Sequence, residues 1–179
     1  MKEYAFDNGE EVNWDLLDTG FDWNNPQNAK MNKESYLDAH KNLVLCCHDV
    51  LINYRGGILF VKRDNLPAKN ILWPMGGRVL KGVPTKESLK RKVKAECNLE
   101  LENIKFLGSS RVIFSTDPFG HGKGTDCFAL MYSADGVGEL KLDQLHKDPI
   151  FVTKEMYVDL RDTLHPYIRD FMDKVYTPE

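Results

Sequence analysis

The sequence predicts a single α/β (α+β) domain in which a mixed β-sheet is sandwiched between helices. Short apolar runs bounded by Gly, Pro and Asn occur before, between and after the helical segments, which is typical of this architecture. Two segments, 84–97 and 166–175, carry apolar residues at helical spacing. The length of 179 residues suits one domain with a sizeable core.

Composition excludes several classes of protein. The net charge of −3 does not predict a nucleic-acid-binding surface, and no apolar run approaches the roughly 20 residues that span a bilayer. The first residues lack the apolar core of a secretory signal. Four cysteines without a Cys-x-x-Cys spacing favour reduced thiols and a cytoplasmic protein.

Residues 1–30 are predicted to form an N-terminal arm, and residues 31–179 the single domain. The arm is polar and aromatic, with Trp14 and Trp23 spaced by Asp and Asn. We expect one of these tryptophans to pack onto the domain, since large aromatic side chains are mostly buried. A binding role for them is the alternative.

The domain is predicted to begin with a short helix that Asn32 or Ser35 caps and that runs through His40. Two apolar runs, Leu43–Asn53 and Ile58–Arg63, flank a Gly-Gly turn and predict a hairpin.

A third short strand is expected to enter Trp73, and a helix to follow from Pro84 to Cys97. Thr85 is the expected N-cap, because a hydroxyl side chain can accept a hydrogen bond from the first turn. Apolar residues recur every four positions along this helix and form the face that packs on the sheet.

The second half of the domain is expected to contain four further strands and two helices. The apolar runs predict strands at Ile104–Leu107, Arg111–Ser115, Gly124–Tyr132 and Phe151–Val152. A turn is predicted at Ala134–Gly138 and a polar loop at Leu142–Pro149. Thr153 is expected to cap a short helix, and Pro166–Val175 to form an amphipathic one.

The stretch from Trp73 to Arg78 carries the residues that suggest a functional site. Adjacent glycines, Gly76 and Gly77, let the backbone pass close to a bound group because no Cβ stands in the way. Arg78 can bind a phosphate through two parallel hydrogen bonds, and Glu96 follows on the next helix. These residues suggest a site for a metal-bound diphosphate. A tight loop joining a strand to an amphipathic helix is the alternative.

The same residues resemble the Nudix box, whose pattern is G-x5-E-x7-R-E-U-x-E-E-x-G-U, where U is a bulky aliphatic residue. With Gly77 as its first glycine, the arginine of the pattern falls on Arg91 and its last glutamate on Glu96. The positions that depart from the pattern are Val83, Lys92 and Ala95, where the box has glutamates, and Asn98, where it has its last glycine. Asn98 is expected to end the helix in the left-handed conformation that the glycine adopts.

The chain most resembles the GDP-mannose mannosyl hydrolase branch of the Nudix hydrolases, whose box ends Arg-x-x-x-Ala-Glu and keeps one glutamate. Enzymes of this branch cleave at the sugar carbon rather than between the phosphates. The resemblance runs from about Leu37 to Thr153. The matching residues are Lys62, Arg63, Asn65, Pro67, Ala68, Gly76–Val79, Lys81, Gly124–Asp126 and His146.

By this resemblance, Glu96 is a direct ligand of Mg²⁺ or Mn²⁺, together with the carbonyl of Gly76 or Gly77. Magnesium accepts such a site because it commonly takes one or two carboxylates beside waters and phosphate oxygens. Arg78 holds the diphosphate and balances the charge of the leaving group. Arg63 is a second candidate phosphate contact, with an exposed strand end as the alternative.

His146 matches the general base of this branch, a task that suits histidine because it exchanges a proton near neutral pH. Asp126, in the Gly-Thr-Asp triplet, is expected to contact the sugar or to cap a turn. Leu66 replaces an arginine of the branch, which lowers the expected rate, and Leu145 replaces its metal-binding glutamine.

The resemblance therefore implies Mg²⁺-dependent hydrolysis of a nucleoside diphosphate sugar such as GDP-mannose, by a protein expected to form a homodimer. Water attacks the sugar carbon, with His146 as the base. The alternative is a catalytically impaired Nudix-fold module that binds nucleotides or regulates a partner, because Val83, Lys92 and Leu145 replace groups that hydrolysis uses. Cleavage of a P–O bond is least favoured, since Lys92 and Ala95 remove two carboxylates.

Overall fold

The computed structural model describes residues 31–176 and the backbone of two short strands ahead of them. These strands, β1 (Phe6–Asp7) and β2 (Glu10–Glu11), pair antiparallel with each other. Both strands belong to the predicted arm, whose other residues, including Trp14 and Trp23, lie outside the described part of the chain, so the packing of the arm stays a prediction.

The domain is a seven-stranded mixed sheet with helices on both faces, which confirms the predicted fold class. Its elements are α1 (Lys33–Asn42), β3 (Leu45–Tyr54), β4 (Gly57–Arg63), β5 (Leu72–Trp73), β6 (Met75–Arg78), α2 (Thr85–Cys97), β7 (Glu100–Phe114), β8 (Thr125–Val137), β9 (His146–Val152), α3 (Lys154–Leu160) and α4 (Pro166–Tyr176). A 3-10 turn at Arg161–Thr163 joins the last two helices. The strands run in the order β5-β4-β3-β8-β7, while β6 pairs with β3 and β9 with β4. Strands β3 and β8 are parallel, and the other strand pairs are antiparallel.

Strand β3 separates the hydrophobic core into two layers, because successive side chains point to opposite faces of a sheet. Val50 and Ile52 pack in the layer that α2 closes with Leu89 and Val93. Leu51 points the other way, into the layer closed by α3 and α4. The buried residues on that side include Tyr157, Leu164, Tyr167, Ile168, Phe171 and Met172. Each large apolar side chain buried in this way contributes about 1.5–3 kcal/mol to stability.

Strand β3 also controls where the segment before α2 lies. The C-terminal part of β3 pairs with β4, and its N-terminal part pairs with β6. In the second pairing, Gly76 lies opposite Asp49 and Gly77 lies opposite His48. The two glycines are therefore held as a strand against the middle of the sheet.

Strand β7 runs unbroken from Glu100 to Phe114, so the prediction of two separate strands is wrong. The pairing of β7 with β8 shifts register at 102–105 and at 106–108, and the strand continues through both shifts. A bulge leaves an extra residue unpaired, so the alternating pattern that marks a strand changes phase there.

Strand β8 continues to Val137, through the segment Ala134–Gly138 for which a turn is predicted, so that prediction is also wrong. A Cβ on Gly136 would lie 2.7 Å from Cγ2 of Ile52. This glycine therefore allows close packing within the sheet, whereas the sequence pattern associated it with a turn.

Two further predictions need correction. Strand β9 begins at His146, inside the predicted polar loop Leu142–Pro149, because pairing with β4 recruits polar residues that show no strand pattern. Thr85 is not the N-cap of α2. Pro84 occupies that position, with an extended ψ of 139° and without a side-chain cap hydrogen bond.

Three other predicted helix caps are confirmed. The Asn32 side chain accepts a hydrogen bond from the Ser35 N–H at 2.8 Å, and the Thr153 hydroxyl accepts one from the Met156 N–H at 3.3 Å. Asn98 ends α2 in the left-handed conformation, with a φ of 61°.

The described residues include all four cysteines and every helix of the domain. No helix among them has the length and apolar character that crossing a bilayer requires. The four cysteines are free thiols, as predicted. Cys47 and Cys127 share a hydrogen bond, which raises the pKa of Cys47 and lowers that of Cys127.

A chain of polar groups fastens α1 to the loop between β7 and β8. His40 Nδ1 lies 2.8 Å from His121 Nε2, and His40 Nε2 lies 3.3 Å from the Thr125 hydroxyl. That hydroxyl donates to the Thr116 carbonyl at 2.8 Å, and the Lys123 N–H donates to His121 Nδ1 at 3.1 Å. All these hydrogen bonds are satisfied together when both histidines are neutral and carry their protons on Nε2.

This network predicts a loss of stability in mild acid. Burial lowers the pKa of His40 and the neighbouring His121 lowers it further, while the Asp117 carboxylate, 3.4 Å from His121 Nδ1, partly offsets these effects. The unfolded chain therefore binds this proton at a higher pH than the folded one, and the free energy of unfolding should fall as the pH drops below about 6.5. His40→Phe removes the titrating group and keeps an aromatic ring beside Tyr36 and Phe119.

Urea unfolding at about pH 7.5 and about pH 5 measures the effect across the range in which histidine titrates. The variant should lose less stability than the wild type between these values. An equal loss in both proteins would contradict the role given to His40.

Candidate active site

The close approach of β6 to β3 requires glycine at one position. A Cβ on Gly76 would overlap the carbonyl oxygen of His48 and the carboxylate of Asp49. A Cβ on Gly77 would instead meet the flexible end of Lys92, with Cε 2.7 Å away. Gly76 thus allows the backbones of β6 and β3 to approach each other, and Gly77 leaves room for the side chain of Lys92.

Glu96 lies in the last turn of α2 and its side chain is only 8% exposed. Its Oε2 accepts a hydrogen bond from the Gly76 N–H at 3.4 Å, and its Oε1 lies 2.9 Å from Lys92 Nζ. The backbone carbonyl of Glu96 accepts from the Asp143 N–H at 2.8 Å. Glu96 therefore links β6, α2 and the loop before β9.

Three side chains meet at this point. Glu96, Asp143 and His146 each offer one ligand atom, and these atoms lie within 4.8 Å of one another. His146 Nδ1 is 2.7 Å from Asp143 Oδ1, which also accepts from the Leu145 N–H at 2.8 Å. The structure thus brings together two residues that the sequence predicts, Glu96 and His146.

Asp143 is a member of this group that the sequence pattern did not single out. It lies three residues before His146, and a carboxylate so close to a candidate base is the signal that could have found it. Its side chain is 29% exposed, and that of His146 is 8% exposed.

The pairing of β9 with β4 sets the position of His146. The backbone of His146 lies opposite Arg63 in this pairing, and the Asp64 N–H donates to the Leu145 carbonyl at 2.9 Å. Nη2 of Arg63 donates to Asn65 Oδ1 at 3.2 Å. Two predicted site residues that are far apart in the chain, Arg63 and His146, are therefore strand neighbours.

Arg78 is the last residue of β6, and its guanidinium lies over α1. The guanidinium carbon is 5.1 Å from the centroid of the Tyr36 ring, a cation–π contact. The Tyr36 ring packs edge-on against His40 and Phe119. Helix α1 and the loop between β7 and β8 thus form one wall beside Arg78.

Asp126 lies on β8 and forms a two-pronged ion pair with Arg111. Its carboxylate oxygens accept hydrogen bonds of 3.0 and 2.6 Å from that guanidinium, which lowers the pKa of Asp126. The contact with a sugar stays a prediction, and a sugar would have to share this carboxylate with Arg111.

Asp49 is a second carboxyl that the sequence pattern did not single out. Burial raises its pKa to about 7, although the hydrogen bond from the Tyr167 hydroxyl, 2.9 Å long, and the charge of Arg63 lower it. An acidic residue in the middle of a buried strand is the signal that could have found it.

The sheet also holds α2 beside the site through a buried histidine. His48 Nε2 lies 2.8 Å from the Ser88 hydroxyl, which accepts a hydrogen bond from the Leu80 N–H at 2.9 Å. Burial lowers the pKa of His48 to about 4, so the ring is neutral near neutral pH.

The carboxylates of Glu96 and Asp143 fit one divalent cation, and His146 beside them could be a third ligand or a base. Carboxylates are the ligands that Mg²⁺ prefers, while Mn²⁺ also accepts imidazole, and waters and phosphate oxygens complete the coordination. Gly76 turns its N–H, and not its carbonyl, toward Glu96. The carbonyls of Gly76 and Gly77 therefore stay predicted ligands of the cation.

No profile of a known protein family matches the chain. The low-salt glycan biosynthesis protein Agl8 of Haloferax volcanii is 26% identical to it over 132 residues, which are 74% of this chain and 82% of Agl8.

Solved structures resemble the fold over most of the domain. A MutT Nudix hydrolase of Burkholderia pseudomallei has a TM-score of 0.61 and 20% identity, covering 75% of this chain and 99% of that one. A MutT protein of Methanosarcina mazei Go1 has a TM-score of 0.59 and 20% identity, covering 73% and 91%. The chain therefore has the Nudix fold, as predicted, and its place in the GDP-mannose branch stays a prediction.

The two glycines of β6 should respond differently to alanine. Gly76→Ala places a Cβ against backbone and carboxylate atoms that have no room to move, so we expect a loss of about 2–4 kcal/mol in the free energy of unfolding. Gly77→Ala meets only the end of a lysine, and its φ of +152° is the main strain, so we expect a loss of about 1–2 kcal/mol. Urea unfolding measures both, and equal losses would contradict the difference in packing.

Proposed function

We propose that this protein is a Nudix-type hydrolase of nucleoside diphosphate sugars, of the GDP-mannose kind, that uses Mg²⁺ or Mn²⁺ and directs water to the sugar carbon. The observation that carries the proposal is the meeting of Glu96, Asp143 and His146 within 4.8 Å, next to Gly76. The fold supports it, since its structural neighbours are Nudix and MutT hydrolases.

Glu96 and Asp143 are the residues that would hold the divalent cation. When bound, the cation supplies positive charge for the diphosphate. In this role Asp143 replaces the glutamine that the GDP-mannose branch has at the position of Leu145. The hydrogen bond from the Asp143 N–H to the Glu96 carbonyl keeps the two carboxylates on adjoining segments.

His146 acts as the general base. With Asp143 Oδ1 at 2.7 Å, Nδ1 carries the proton and donates it in a hydrogen bond, so Nε2 keeps its lone pair. Nε2 can then take a proton from water as the water oxygen bonds to the sugar carbon. The bond from that carbon to the phosphate oxygen breaks, and the nucleoside diphosphate leaves. Asp143 orients the ring and stabilises the imidazolium that forms.

Arg78 and Arg63 are the proposed contacts for the diphosphate. Tyr36 supports the guanidinium of Arg78, and Asn65 orients that of Arg63. Charge that develops on the leaving group can then be balanced by two cations whose positions are already set. Asp126 is the proposed contact for a sugar hydroxyl.

A second function, nucleotide binding without hydrolysis, is favoured by one contact. Lys92 Nζ lies 2.9 Å from Glu96 Oε1, so an ammonium already neutralises the carboxylate on which metal-dependent hydrolysis depends. A sensor or regulatory module of this kind would keep the arginines and lack turnover.

We also propose a homodimer and a cytoplasmic location. The dimer follows from the branch that the chain resembles, and a sedimentation run that finds only monomer would remove it. The cytoplasm follows from the free thiols, which a reducing compartment preserves.

The first test is product formation from a panel of nucleoside diphosphate sugars with Mg²⁺ or Mn²⁺. We expect free sugar and nucleoside diphosphate from the wild type, and no product from Glu96→Gln, which removes the charge of the proposed metal ligand. In ¹⁸O-labelled water the label should appear on the sugar. Label on phosphate would contradict attack at carbon, and nucleotide binding without any product would support the second function.

Asp143→Asn tests the residue that links the base to the cation. The amide is a weaker metal ligand and does not stabilise an imidazolium, so we expect kcat and Mn²⁺ affinity to fall about 10- to 100-fold each. The matched control is Asp148→Asn, whose carboxylate lies close by in sequence, is 62% exposed and pairs with Lys62. Equal kinetics and Mn²⁺ affinity for Asp143→Asn and the wild type would exclude Asp143 from the site.

A further inference from the structure

Lys92 stands one helical turn before Glu96, where the Nudix box has a glutamate. Its Nζ lies 2.9 Å from Glu96 Oε1, and the two side chains are 38% and 8% exposed. Ion pairs between exposed residues one turn apart contribute little to stability. This pair differs from them because its acidic partner is nearly buried and belongs to the proposed metal-binding group.

The stem of Lys92 crosses the second glycine of β6. A Cβ on Gly77 would lie 2.7 Å from Lys92 Cε and 3.4 Å from its Nζ. The Lys92 side chain therefore passes over Gly77 and ends at Glu96. A side chain at position 77 would collide with it, so glycine at this position makes room for the lysine.

The charge of Lys92 also acts on groups around the site. Burial raises the pKa of Tyr36 and lowers that of His48, and the Lys92 ammonium opposes the first shift and adds to the second.

We propose that Lys92 is a built-in cation of this site that competes with a divalent ion for Glu96 and binds the diphosphate of the substrate. This inference rests on the proposed function. With the ammonium on Oε1 and the Gly76 N–H on Oε2, both oxygens of Glu96 are already engaged. A divalent ion that binds this carboxylate is repelled by the charge of Lys92 and competes with it for Oε1.

The displaced ammonium has a natural acceptor. Lysine has a flexible stem and three N–H donors, so Lys92 can turn from Glu96 to a phosphate oxygen of a diphosphate that lies against Gly77. Lysine in place of a box glutamate changes the local charge by two units. The site then needs fewer metal ions, because part of the positive charge for the diphosphate is covalently attached.

Lys92→Met tests the competition with the metal. This variant keeps the stem and removes the charge, so Mn²⁺ titrated calorimetrically, without nucleotide, should bind roughly tenfold tighter or more than to the wild type. Lys92→Gln repeats the test with a polar side chain. The matched control is Lys94→Met on the same helix, whose Nζ pairs with Glu100 at 3.0 Å, and it should leave Mn²⁺ affinity unchanged.

Inorganic pyrophosphate in the presence of EDTA tests the second half of the proposal. The wild type should bind it without metal, and Lys92→Met should bind it roughly tenfold more weakly, since one phosphate contact is lost. Lys94→Met should again match the wild type. Circular dichroism checks that the variants are folded.

Each titration can overturn the proposal by itself. It is wrong if both Lys92 variants bind Mn²⁺ with the affinity of the wild type, and equally if both bind metal-free pyrophosphate with the affinity of the wild type. Neither titration measures turnover. Tighter Mn²⁺ binding and weaker pyrophosphate binding in a protein that hydrolyses no nucleotide sugar would support the role of Lys92 and reject the proposed hydrolase activity.

Discussion

The packing of Gly76 against β3 is the constraint on which the rest of the site depends. With no side chain between Gly76 and the backbone of His48 and Asp49, β6 lies flat against the middle of the sheet. The Gly76 N–H then reaches the carboxylate of Glu96 at the far end of α2. Arg78, at the end of the same strand, emerges beside α1. One close backbone contact therefore sets the positions of a carboxylate and a cation.

The site also depends on unequal burial of its charged groups. Asp49 is buried behind Gly76, and this burial raises its pKa to about 7. Glu96 is nearly buried but engaged on both oxygens, while Asp143 and Lys92 reach solvent in part. Polar contacts on the buried side orient the carboxylates, and the more exposed groups are the ones that can exchange partners. Such an arrangement suits the reversible binding of a cation and a diphosphate.

Segments distant in the chain complete the site. Pairing of β9 with β4 brings His146 beside Arg63, and the loop before β9 brings Asp143 onto the carbonyl of Glu96. On another side, α1 supports Arg78 through Tyr36, and the paired histidines hold α1 to the loop between β7 and β8. The histidine network therefore also supports the position of the Arg78 guanidinium, because Tyr36 contacts both His40 and Arg78.

The sequence by itself determined the fold class and most helix ends, and it singled out Glu96 and the Gly-Gly-Arg segment as candidate site residues, while His146 was predicted from the resemblance to the GDP-mannose branch. Local signals carry this information, since caps, helical periodicity and residue patterns act within a few positions of the chain. Tertiary structure decided the continuity of β7 and β8 and the start of β9, because bulges and pairing override local patterns. It also decided that Asp143 joins Glu96. The contact of Asp143 with Glu96 arises from strand pairing and loop packing between distant segments, which no short pattern in the chain encodes, whereas Lys92 and Glu96 are neighbours one turn apart on the same helix.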